Sequence, residues 1–136
     1  MFICKHGIIQ DVVLCFRGAV ESIRAIADAT TAETFSTEVV QRLMAACDTL
    51  RVSAAVFTKM NCGQQTAEAH RDCAFGLRLL GSKVTDIEEK HRYLLDGLSH
   101  MQLAVALQEH VVLRDQRLFA PQEVNKVCSF RIQLSR

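Results

Sequence analysis

Apolar residues recur along most of this chain at steps of three and four, the spacing of one face of an α-helix. In the first stretch the row is Ile9, Val13, Phe16, Val20, Ile23 and Ala27, while Arg17, Glu21, Arg24 and Asp28 mark the opposite side. The pattern predicts an amphipathic helix over about Gly7–Ala29, with a solvated charged face whose acid and base pairs each contribute little. The hydroxyl-rich segment Thr30–Ser36 suits a connection, because its side chains compete for backbone hydrogen bonds. Ser36 or Thr37 then offers an N-cap, with Glu38 placed well in the first turn.

A second helix follows on the seam Val40, Leu43, Leu50 and Phe57, filled in by Cys47 and Ala54. Met44, Val52 and Val56 lie off that seam and make the stripe broad. Asn61-Cys62-Gly63 supplies residues able to turn left-handed at its end.

The longest alternation starts at His70 and reaches Val112. Its central seam is Leu77, Leu80, Val84, Ile87, His91, Leu94, Leu98, Met101 and Val105, predicted to face either a core or an interface. The run is read as one long helix, or a broken one, over about 65–117. The expected break is Gly81-Ser82, with Thr85 and Glu88 spaced as a capping box beyond it. The seam is flanked mostly by small or apolar residues, among them Ala74, Gly76, Gly81, Leu95, Gly97 and Ala104, with Lys83, Glu88 and Lys90 the charged exceptions. A two-stranded coiled coil would place charges there, so the segment reads as one member of a bundle whose small residues let backbones approach closely. Leu103–Leu107, apolar on every side, is expected at the centre of the core or beneath another chain.

Cys128, Phe130, Ile132 and Leu134 alternate with polar residues in a strand pattern, and Phe2–Cys4 could form a short strand to pair with it. The fold class expected is therefore all-α: a bundle of three to four main helices in a single domain, 1–136, with short terminal strands possible.

Composition narrows the function without naming it. The chain has 136 residues, a formal net charge of +1 and interspersed charges, so it lacks the basic face that nucleic-acid binding needs. No apolar run reaches the ~18 residues of a membrane span. Gln10 and Asp11 interrupt the apolar stretch Ile8–Phe16, which reads as amphipathic helix rather than secretory leader. Six cysteines without a C-x-x-C pair read as reduced thiols, which implies a cytoplasmic setting.

Three constellations bear on chemistry. His70-x-x-Cys73, with Cys62 upstream, could supply metal ligands for zinc or haem iron, yet only one close ligand pair is visible and no cofactor is expected. Glu88-x-x-His91 has the spacing of di-iron bundles, which need that motif on two helices. On the seam, His91 would form a polar layer that loosens near pH 6. Nucleophile elbows, phosphate-cradling loops and serine–histidine–acid sets are absent from the sequence, so no catalytic residue is assigned. The leading expectation is a non-enzymatic interaction protein that self-associates, or joins a larger assembly as a small subunit or adaptor, through helix–helix contacts. A metal- or ligand-binding bundle using Cys62, His70 and Cys73 is a second reading, and a chaperone presenting an apolar groove to a client is a third.

Overall fold

The structure, a computed structural model, describes residues 2–29 and 34–114, with side chains over 10–29 and 34–111. Four helices follow one another: α1 (Phe2–Ala29), α2 (Thr37–Lys59), α3 (Gly63–Lys83) and α4 (Ile87–Arg114). The fold is an all-α bundle. Phe2–Cys4 belong to α1, which corrects the expectation of a strand there: a helix satisfies its own backbone, whereas an isolated ribbon is marginal. The strand pattern around Cys128–Leu134 lies outside the described residues.

The boundaries follow from side-chain chemistry. Ser36 caps α2, its hydroxyl accepting from the Val39 amide at 3.3 Å. Asn61, at φ 58°, takes the left-handed step that separates α2 from α3. The long alternation is indeed cut once, but at residues 84–86 rather than at Gly81-Ser82. Asp86, not Thr85, starts α4: its carboxylate accepts from the Glu88 amide at 3.3 Å and its carbonyl from Lys90 at 2.9 Å. Gly81 stays helical and buried because α4 passes over it; a Cβ there would sit 2.7 Å from the Leu94 side chain.

Helix α3 is the middle element. It packs along α2 on one side and most extensively along α4, while α1 lies on α2 and only brushes α3. Among the described residues α4 follows no helix but α3, and only side chains tie it to α2. The main core joins Ile23 and Ile26 of α1, Leu43, Cys47 and Leu50 of α2, Cys73, Leu77 and Leu80 of α3, and Tyr93 of α4. A satellite core sets Phe57 edge-on to Phe16, ring centroids 6.1 Å apart, with Ala54 and Ala69 around them.

Candidate functional site

Close packing between α3 and α4 decides what the rest of α4 faces. Gly97 presses on α3 so tightly that a Cβ would stand 3.3 Å from the Leu77 Cβ and 3.4 Å from the Ala74 carbonyl. The buried row of α4 is therefore Tyr93, Gly97, Ala104 and Val111, mostly small residues that permit the approach. Of the larger heptad residues, Leu94 lies over Gly81, and Ile87 and Leu98 are turned to the flank. Of the predicted seam, Leu77 and Leu80 are buried, Val84 is half-buried, Ile87, Leu94 and Leu98 are exposed, Met101 is half-buried and Val105 is buried. His91 stands in solvent, so the buried polar layer expected of it is absent. Leu103–Leu107 is also not the core centre: Leu103 is 49% exposed and only Ala104 and Val105 are buried.

The flank opens onto a groove of about 350 Å³ bounded by α1, α3 and α4, to which α2 contributes nothing. Val20 and Ile23 form one wall, Ala74 and Phe75 the floor, and Met101 the other wall. Leu98, Leu94 and Ile87 carry the Met101 row onward at steps of three, four and seven, so they share its side of α4. Arg71 lines both this groove and a smaller recess, where Val105 continues the row in the other direction. Arg24, Arg71 and Arg78 stand around the groove with a single acid, Asp72. Burial raises the Asp72 carboxyl above its ordinary range, opposed by the guanidinium groups of Arg71 and Arg24.

On the other side of the α3–α4 contact, polar side chains of three helices meet. Arg51 of α2 bridges Asp48, at 2.6 Å, and Asp96 of α4. Asp96 lies 3.6 Å from His100 Nε2, and His100 Nδ1 lies 2.8 Å from His70 Nδ1, with the two rings stacked. Beneath them the Cys73 thiol donates to the Cys47 carbonyl at 3.6 Å, and both thiols are buried. Hydrogen bonding with Cys47, reinforced by burial, pushes the Cys73 thiol far up. Hydrogen bonding from Cys73 holds Cys47 below its ordinary value. The ring of His100 is raised by its contact with the Cys73 sulfur and by the charge of Asp96, whereas burial and the neighbouring His100 lower His70.

The proposed ligand trio is not assembled. Cys62 donates to the Met60 carbonyl at the start of α3, His70 pairs with His100, and Cys73 turns to Cys47. Among the described residues no three histidine, cysteine or acidic side chains are arranged to hold a metal ion. The α2 seam packs inward, with Leu43, Leu50 and Phe57 buried and Val40 half-buried against the main core.

The histidine pair has a measurable consequence. A raised His100 adds stability below the ordinary histidine value of 6.5, which is lost as pH rises through its folded pKa. A lowered His70 adds stability above 6.5, which is lost as pH falls through its folded pKa. Thermal melts between pH 5 and 8 should therefore peak near 6.5. His100→Gln should flatten the alkaline side and His70→Gln the acid side. A wild-type profile without a maximum, or one left unchanged by both substitutions, would contradict the assignment.

Fold and geometry thus define a helical bundle with an open, arginine-edged apolar groove between α1, α3 and α4. No protein-family model, curated protein or solved structure matches the chain. No described helix is long and apolar enough to cross a membrane.

Proposed function

We propose that this chain is a non-enzymatic helical interaction module, which takes an amphipathic helix of a binding partner into the groove between α1, α3 and α4. One observation carries the reading: Ile87, Leu94, Leu98 and Met101 have the heptad spacing of a helix-packing seam, yet none of them is fully buried, and Met101 lines the groove. Exposed apolar residues are common singly, but Phe75, itself 48% exposed, lines the groove with Val20 and Met101, a patch of the kind that marks interfaces. A helix laid there would complete a layer that α4 and α1 leave open, since those two helices do not meet among the described residues.

The test is a titration with an 18-residue helical peptide bearing leucines at heptad spacing and glutamine on its polar face. Binding should saturate, and Phe75→Lys should weaken it by about tenfold or more, as expected for loss of a central apolar contact at an exposed residue that lines the groove. Val52→Lys is the matched control, because Val52 is 64% exposed and lies on a separate recess between α1 and α2. Equal losses in the two variants, or no saturable binding, would contradict the groove.

A further inference from the structure

The charges around the groove specify what its occupant carries. Arg24 projects from α1, while Arg71 and Arg78 stand seven residues apart on α3 and so share one of its sides. All three are exposed. Against them stands Asp72, whose side chain is 22% exposed and lies 3.8 Å from Arg71. Glu68 adds a second acid only in the smaller recess, beside Val105. A chain with almost no net charge thus concentrates bases around this groove, whereas the recess between α1 and α2 is lined by the acids Asp11 and Asp48 and by no base.

We propose that the occupant is an acidic amphipathic helix of another protein, its apolar ridge seated on Val20, Phe75 and Met101 and its carboxylates against Arg24, Arg71 and Arg78. This deepens the helix-binding reading and rests on it. Neither the outer face of α1 nor the sequence beyond α4 is acidic. The outer face of α1 mixes Arg17, Glu21, Arg24 and Asp28, and residues 115–136 carry four bases, Arg117, Lys126, Arg131 and Arg136, against the two acids Asp115 and Glu123. A basic segment would meet like charge at the groove. A second copy docking any other face there would make a head-to-tail contact, which leads to open chains of subunits unless it closes into a ring.

The experiment compares three labelled peptides with the same leucine ridge and with glutamate, glutamine or lysine flanks, measured by fluorescence anisotropy on the full chain. At low ionic strength the glutamate peptide should bind about fivefold tighter than the glutamine one, the scale of a few exposed ion pairs. In about 0.5 M salt that advantage should vanish. The lysine peptide should be weakest. Asp72→Asn should tighten the glutamate peptide two- to threefold, on the order of one such pair, an effect that misfolding cannot imitate. Joint replacement of Arg24, Arg71 and Arg78 by glutamine should erase the preference while leaving the glutamine peptide unaffected.

Equal affinities for the glutamate and glutamine peptides, both lost in Phe75→Lys, would overturn the acidic assignment and leave the groove standing. Failure of every peptide would overturn both. Dimers seen by light scattering at micromolar wild-type protein, and dissolved by Phe75→Lys, would make a second copy the occupant and overturn the inference as well.

Discussion

Leu77→Ala is expected to lower stability by about 2–5 kcal/mol, the range for removing a fully buried leucine from a core that cannot collapse around the gap. Leu77 is 1% exposed, at the point where α3 meets both the main core and Gly97 of α4. Leu98→Ala, on the same heptad seam in the sequence, is expected to cost less than about 1 kcal/mol, because Leu98 is 41% exposed. The contrast measures where the seam leaves the core. Urea denaturation of both variants checks it, and comparable losses at the two positions would place the α4 row inside the bundle rather than beside the groove.

The second large effect comes from too little space. A Cβ at Gly76 would lie 2.6 Å from the Cys47 sulfur and 3.0 Å from Ile23 Cδ1. Cys47 is held by its neighbours in α2 and by Cys73, so neither contact can yield without moving α1 or α2 away from α3. Gly76→Val is therefore expected to destabilise by about 1–3 kcal/mol, as overpacked cores do. Gly18, which has nothing within 4 Å of its missing Cβ, provides the comparison. There alanine should stabilise by up to about 1 kcal/mol, the difference in helix propensity. Chemical denaturation of the two variants should move the midpoint in opposite directions, and a Gly76→Val protein as stable as the wild type would refute the close approach of Cys47.

These two sites also show what periodicity can and cannot reveal. The α2 seam was legible because a helix between two neighbours buries its apolar stripe, and Leu43, Leu50 and Phe57 do so. The Ser36 cap and the left-handed step at Asn61 were legible because each depends on local backbone chemistry. The heptad run misled on which face of α4 is buried. Helix contact there is set by how closely backbones can approach, and the small residues Gly81, Ala74 and Gly97 win that contact: Leu94 lies over Gly81, while Ile87 and Leu98 are left on the flank. Register across the break at 84–86 is consequently kept in spacing but not in burial.

The polar cluster was legible only in fragments. His70 and Cys73 were visible as a pair one turn apart, but their partners His100 and Cys47 come from other helices. The Arg51–Asp96 pair joins residues 45 positions apart, a separation that no local pattern records. The spacing of Asp96 and His100, one turn apart on α4, was the available signal for a charged layer, and it became meaningful only once Arg51 was placed beside it. The arginine edge of the groove was hidden for the same reason, since Arg24 and Arg78 are brought together by the packing order of α1, α3 and α4.

The central claim is that the α4 row lies open beside a groove that accepts a helix. Hydroxyl-radical footprinting read by mass spectrometry tests it most directly, with and without a saturating amount of the glutamine-faced peptide. In the free protein Phe75, Leu98 and Met101 should be oxidised while Leu50 and Leu77 are not, in line with their exposure. Adding the peptide should protect Phe75, Leu98 and Met101 and leave Leu14 and Val52 reactive. Protection confined to Leu14 and Val52, or a free protein in which Leu98 is as inert as Leu77, would contradict it.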